Sequence, residues 1–171
     1  MAVEDWLGNW TLDPGRSEFT FRSPTFWGLA KVKGRFTTVE GSGEATAPNL
    51  ISGTLTIDAA SVRTGIGKRD EHLRSADFFD VERFPSITAT ATSAGLTDPD
   101  TVNLHVQVAI KGVERLLDLP IRVTTLDGGA AVRLTATTTL NRRDFGVDGN
   151  LLGMMADTTD VEAAAVFVKQ P

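Results

Sequence analysis

Arg63, Lys68, Arg69 and Arg74 surround Asp70, Glu71 and His72 within twelve residues, the densest run of ionisable side chains in the sequence. Two chemistries fit those types at that spacing. A planar guanidinium presents a donor fork to a phosphate or pyrophosphate, so Arg63 and Arg69, with His72, are head-group candidates. The same charges also suit an ion-pair network internal to the loop, with Asp70 satisfying Arg69 or a backbone amide. Both readings stand on the sequence alone. His72 beside Asp70 has the makings of a base, or of a metal ligand with Asp77 and Asp80. One histidine among scattered carboxylates lacks the spacing of a zinc site, so no metal is expected. The other histidine, His105, falls on the polar face of a strand, and cysteine is absent. There is no G-x-S-x-G elbow, and no catalytic residue is assigned; a binding protein is expected, not an enzyme. Val108–Lys111 (VAIK) and Asp144–Gly146 (DFG) copy kinase strings without the rest of that signature, and Gly65–Lys68 lacks phosphate-loop spacing.

The elements that must position this cluster are short and alternating. Apolar residues recur at every second position in 17–22, 29–40, 51–58, 86–92, 102–110, 117–123, 132–140 and 158–168. That is the strand period, and the spacing predicts eight strands. Pro24 is expected to end the first, and Gly41, Gly43 and Pro48 to mark a turn; Asp98-Pro99-Asp100 and Asp127-Gly128-Gly129 are further turn signals. Between the third and fourth strands lies a long connection. Its stretch 68–75, KRDEHLRS, has helix formers enough for about two turns. Phe78 and Phe79 follow, then Phe84-Pro85, where the proline extends the backbone into the next strand. Connections this long inside a compact domain usually carry function. Many short strands without intervening long helices argue for an antiparallel barrel or sandwich.

Several strings resemble one family, the YceI-like, lipocalin-like, polyisoprenoid-binding proteins. They are Ser61-Val62, Thr64, Arg69-Asp70, His72-Leu73, Ser75, Asp77-Phe78-Phe79-Asp80 and Phe84-Pro85 in the central connection. Trp10–Asp13 with Ser17, Val32–Phe36, Ile110–Val113 with Leu119-Pro120, and Leu140–Gly146 follow in the family's order, so the likeness runs from about Trp10 to Val168. It departs at Arg16-Ser17, at Thr25-Phe26, and at Ala89–Thr92, where the family carries other residues. The resemblance implies an all-β fold, an eight-stranded antiparallel lipocalin-like barrel with one short helix in the connection near 68–75. It also implies a tunnel holding a long-chain isoprenoid lipid for transport or storage. Phe19, Phe21, Phe36, Leu55, Leu104, Val106, Ile110 and Leu134 on strand faces then become its walls. Phe26, Trp27, Phe78, Phe79, Phe84, Phe145, Met154 and Met155 in loops would gate or lengthen it. From the apolar pattern alone a filled core is the expectation, since most apolar stripes are core, and the resemblance reverses it.

At 171 residues the chain is expected to be a single domain, residues 1–171 with a core of about 10–168, long enough to bury a real interior. A net charge of −5 argues against general nucleic-acid binding. The opening MAVEDWLGNW lacks a basic region and an apolar run, and no stretch is long enough to span a bilayer. A cytoplasmic protein without cofactor is therefore expected, and the resemblance leaves room for transient membrane contact and for a homodimer.

Overall fold

The computed structural model describes residues 6–47, 50–98, 100–150 and 153–171, with 93–98 as backbone only; Pro48 and Pro99 lie outside the described residues. Strand runs through β1 (Gly8–Leu12), β2 (Glu18–Thr25), β3 (Ala30–Phe36), β4 (Val39–Ala47), β5 (Leu50–Asp58), β6 (Val62–Arg63), β7 (Ser86–Asp98), β8 (Thr101–Ile110), β9 (Val113–Leu126), β10 (Ala131–Asn141) and β11 (Thr158–Lys169). All pairings are antiparallel, and each strand from β7 to β11 pairs with the next. β11 then pairs along one edge with both β1 and β2. β1 pairs with β4 and β2 with β3, while β4 pairs with β5 and β3 with β6. Thus β1–β2, β3–β4 and β5–β6 are three long staves, each broken once. With β7 to β11 they make an eight-stave up-and-down barrel whose ring closes between β11 and the first stave. Closure removes most of the free sheet edge; among the described residues β6 and β7 do not pair, and β9 and β10 pair only over 122–126 and 131–135. The eight alternating segments of the sequence map one to one onto these staves.

Local chemistry sets the breaks. In the first stave Asp13 accepts from the amide of Gly15 at 3.1 Å, Pro14 opens the turn, and Ser17 donates to the Asp13 carbonyl while accepting from Val166 N–H. The third stave repeats the device. Asp58 accepts from Ala60 N–H, and Ser61 Oγ donates to the Asp58 carbonyl while accepting from the amides of Thr37 and Thr38. Short Asp and Ser side chains thus satisfy the backbone groups that the ladder releases at these corners. The run 29–40 divides at Thr37-Thr38, which the same serine holds.

Two turn expectations are corrected. β2 continues through Pro24 to Thr25, because pairing with β11 stops at Arg22 and the missing N–H costs no ladder bond there. Gly41 and Gly43 lie inside β4, opposite Leu55 and Gly53. Glycine at 41 makes room: a Cβ there would sit 2.6 Å from Leu55 Cδ2. Gly34 does the same under the ring of Phe21, which a Cβ would approach to 2.2 Å.

The helix, α1 (Gly67–Arg74), begins one residue earlier than expected and lies in the connection from β6 to β7. Strand directions put this connection, the β2–β3 turn, the β8–β9 turn and the 142–157 connection at the same end of the barrel, called here the helix end. Two apolar clusters follow. Trp6, Trp10, Leu12, Val102, Ile121 and Phe167 belong to the one that includes the far end. Val62, Leu73, Phe78, Phe145 and Val147 close the helix end. No helix among the described residues is long and apolar enough to cross a membrane.

Candidate ligand cavity

A cavity of about 390 Å³ occupies the barrel, within the range of small-molecule sites, roughly 300–1,000 Å³. Its lining includes all five inward residues of β8, Val102, Leu104, Val106, Val108 and Ile110, about 27 Å of strand at 3.4 Å per residue. Phe36, Leu55, Ile57, Ala89, Ala91, Val108, Leu119, Val123, Leu134, Ala136 and Ala163 point inward yet are only partly buried. In a filled barrel those positions would be sealed. The wall recedes where small residues coincide on neighbouring strands: Gly43, Gly53 and Ala91 fall in register on three, and Ala136 and Ala163 on two others.

Of the residues read from sequence, Phe19, Phe21, Phe36, Leu55, Phe78, Phe79, Leu104, Val106, Ile110, Leu134, Phe145 and Met155 line this cavity. Phe21, Phe36 and Phe79 form a chain of rings toward the helix end, with centroids 5.8 Å apart at each step. Phe26, Trp27, Phe84 and Met154 do not line it. Phe26 and Trp27 project from the β2–β3 turn, 52% and 67% exposed. Phe84 lies against Gly112 in the β8–β9 turn, with the Arg83 guanidinium 5.2 Å from its ring. Met154 offers its carbonyl to Trp27 N–H at 3.1 Å, outside the cavity wall.

The three head-group candidates also lie off the cavity lining: Arg63 and Arg69 bond the loop's own backbone, and His72 pairs with a carboxylate outside. Asp70, buried under α1, accepts from Thr64 N–H at 2.8 Å and from the Thr64 hydroxyl. Arg69 Nε donates to that hydroxyl at 2.8 Å and its Nη2 to the Thr64 carbonyl. Arg63 donates to the carbonyls of Ala60 and Val62, and Arg74 to those same two carbonyls. The hydroxyl bond from Thr64, more than the opposing effect of burial, holds the Asp70 carboxyl below the ordinary carboxylate range; the Thr64 amide and the charges of Arg74 and Arg63 add to it. His72 pairs with Asp77 at 3.0 Å on the exposed face and sets its ring edge-on to Phe78. His105 pairs with Asp118 on the outer face.

Arg142, at the helix end of the cavity, was missed as a site residue. It is 7% exposed and is among the lining residues. Its Nε donates to the Ala156 carbonyl and its Nη1 to those of Val147 and Gly149, all at 2.8 Å. Nη2 is buried with no hydrogen-bond partner among the described residues. Burial lowers the guanidinium pKa, with Arg143 nearby pushing the same way. Ser23 and Thr159, joined by a 2.8 Å hydroxyl bond, also line this end. The signal available in sequence was an arginine at the end of an alternating strand, Leu134 to Leu140. It sits where the inward face continues, while Arg143 beside it turns outward to Asp157.

A closed eight-stave antiparallel barrel around a carbon-walled cavity defines a lipocalin-like fold. Its sequence carries the same assignment further: residues 10–167 match the YceI-like domain model, and the chain belongs to that family. A UPF0312 protein of Pseudomonas putida strain F1 is 28% identical over 149 residues, covering 84% of this chain and 77% of its own. BcnA of Burkholderia cenocepacia superposes with a TM-score of 0.80 at 20% identity over 91% of this chain and 98% of its own. A polyisoprenoid-binding domain from Saccharophagus degradans does so with 0.80 at 18% identity over 94% and 98%. At those identities the superpositions speak for the fold.

Proposed function

We propose that this chain binds a lipid whose hydrocarbon tail, that of a polyisoprenoid or isoprenoid quinone, lies in the barrel, and that it holds this lipid for transport or storage. The partly exposed inward side chains around the 390 Å³ cavity carry the reading. Each isoprene unit has five carbons, each contributing about 0.8 kcal/mol on full burial. Ordering and association costs offset part of that, so tight binding needs several units and little help from the head. The Saccharophagus domain, a polyisoprenoid-binding domain on the same barrel, supports the choice of tail. The head is assigned to the helix end. There the spare Nη2 donor of Arg142 and the Ser23–Thr159 hydroxyl pair suit an acceptor oxygen such as a quinone carbonyl or a phosphate. Binding without turnover fits the two histidines, both paired with exposed aspartates off the cavity.

Native mass spectrometry tests this. Protein offered a prenyl quinone or polyprenyl phosphate should gain one ligand mass, and His72→Ala should take it up equally. A bare protein mass at saturating lipid overturns the proposal. Chemical conversion of the lipid by wild type, lost in His72→Ala, replaces it with an enzyme.

A further inference from the structure

The β2–β3 turn has no role in the cavity, yet it has an unusual design. Phe26, Trp27, Gly28 and Leu29 form its tip, and Leu29 is 88% exposed. Phe26 and Trp27 both adopt left-handed backbone, with φ of 49° and 54°. For bulky residues that conformation is uncommon and costs free energy, and such outliers concentrate at functional sites. The tip is nevertheless anchored: Leu29 N–H bonds to the Phe26 carbonyl and Trp27 N–H to that of Met154, each at 3.1 Å. Three large apolar side chains are thus held in water where a polar turn would be cheaper.

Charge surrounds them with one sign. From Glu18 to Arg35 the sequence carries Arg22, Lys31, Lys33 and Arg35 against one carboxylate, inside a chain of net charge −5. All four cations are exposed, and none joins an ion pair among the described residues. Lys31 and Lys33 stand on the outer face of β3, beginning two residues from Leu29. Acidic neighbours exist on β11, where Asp160 faces Arg22 and Glu162 faces Thr20, so the positive field is strongest on β3. Asp157, near the tip through Ala156, is occupied by Arg143. Aromatic and aliphatic side chains flanked by cations match the headgroup layer of an anionic bilayer: rings enter the interface while cations stay with the phosphates.

We infer that the Phe26–Leu29 tip, with Lys31 and Lys33, is a membrane-docking device that seats the helix end of the barrel on an anionic lipid surface. The tip is wired to the cavity end. Met154 binds Trp27, Ala156 N–H binds the Pro24 carbonyl, Met155 lines the cavity between them, and Arg142 holds the Ala156 carbonyl. A tip in the bilayer therefore places that end of the cavity against lipid. The inference goes beyond the lipid-binding proposal and uses a different surface.

The chain carries its own probe. Of its three tryptophans, Trp6 and Trp10 are buried and Trp27 is exposed, so a change in emission on binding reports the tip. The full chain is mixed with vesicles of phosphatidylcholine containing phosphatidylglycerol and free of any isoprenoid, which keeps the result independent of cavity filling. The expected result is co-sedimentation, a blue shift, and protection of Trp27 from acrylamide. Binding should fall about fivefold for each of Lys31→Gln and Lys33→Gln, the equivalent of about 1 kcal/mol per cation. It should fall further in Phe26→Ser/Leu29→Ser, with circular dichroism unchanged, and weaken as salt rises. Equal partition onto pure phosphatidylcholine, undiminished binding by Phe26→Ser/Leu29→Ser, or a Trp27 shift that tracks protein concentration without vesicles overturns the inference. The last outcome means a second copy of the chain covers the tip.

Discussion

Ala136 and Ala163 face each other across the β10–β11 pairing, line the cavity and are only partly buried. Enlarging one of them distinguishes a hollow barrel from a filled one by the sign of the effect. Ala163→Leu adds three carbons. If they enter empty apolar space, burial contributes about 2.4 kcal/mol, and immobilising the side chain costs about 0.5–1 kcal/mol. The net is a gain of about 1.5 kcal/mol. In a packed interior the same carbons collide and destabilise by about 1–3 kcal/mol. Urea unfolding reads the difference directly: with a slope of about 2 kcal/mol per molar, the midpoint rises by about 0.7 M for a hollow and drops for a plug. The space taken by leucine is lost to the ligand. Forfeiting about 2.4 kcal/mol of tail burial weakens prenyl-lipid affinity about fifty-fold. Ala164→Leu, one residue along β11 and outside the cavity lining, should change stability by less than about 0.5 kcal/mol and leave binding alone. A destabilised Ala163→Leu protein with unchanged lipid uptake refutes the hollow and with it the proposed function.

Asp70 gives a pH signature. Its folded pKa is depressed, so the stability it contributes is present above the unfolded value of about 4 and is lost as pH falls through the lower folded value. Asp70→Asn should lose about 1.5–3 kcal/mol at pH 7, from bonds made to a charged acceptor. The gap from wild type should close below about pH 4, and a gap that stays constant in urea titrations down to pH 3 contradicts the assignment. Arg142→Ala strands three carbonyl acceptors, those of Ala156, Val147 and Gly149. A loss of about 3 kcal/mol is expected, with amide exchange accelerated first in 142–157; uniform acceleration across the barrel argues against a local staple.

The strand pattern was legible because a barrel wall has two chemically different faces, and period two writes that difference into every stave from Ser17 to Val168. What periodicity could not carry was the distinction between a turn glycine and a spacer glycine. Gly41, Gly43 and Gly34 each sit in a strand because a neighbour's side chain, or an opposing backbone, needs the volume of a Cβ, and that need comes from register, which composition does not encode. The cavity walls on regular strands were readable for the same reason the strands were. Loop aromatics were not: Phe78, Phe79 and Phe145 fold over the helix end, while Phe26, Trp27 and Phe84, aromatic as well, do not line the cavity. A side chain's direction in an irregular segment is set by contacts distant in sequence. Of the two readings open to the charged cluster, the structure shows the loop-internal one. Arg63, Arg69 and Arg74 are close in sequence because they organise one loop through the carbonyls of Ala60, Val62 and Thr64. Arg142, alone in sequence on the inward face, is the arginine that reaches the cavity.

These placements combine into one physical requirement. For the proposed tail to enter such a barrel, the entry has to lie where the wall is not a continuous ladder. Around the ring that condition is met twice toward the helix end: β9 and β10 pair only over 122–126 and 131–135, and β7 pairs with β5 only as far as Ser86 without pairing to β6, beside α1, Phe78 and Phe79. The cover is itself held by loop bonds: Lys111 Nζ ties the Ala76 carbonyl to that of Gly146 at 3.0 and 3.1 Å, and Asp70 and Thr64 fix the start of α1. Packing without a ladder opens at lower free energy than paired strands do. The helix end, where both breaks in the ladder lie, is therefore the part of the wall best suited to yield to the proposed tail, and it is the end that carries the exposed aromatic tip.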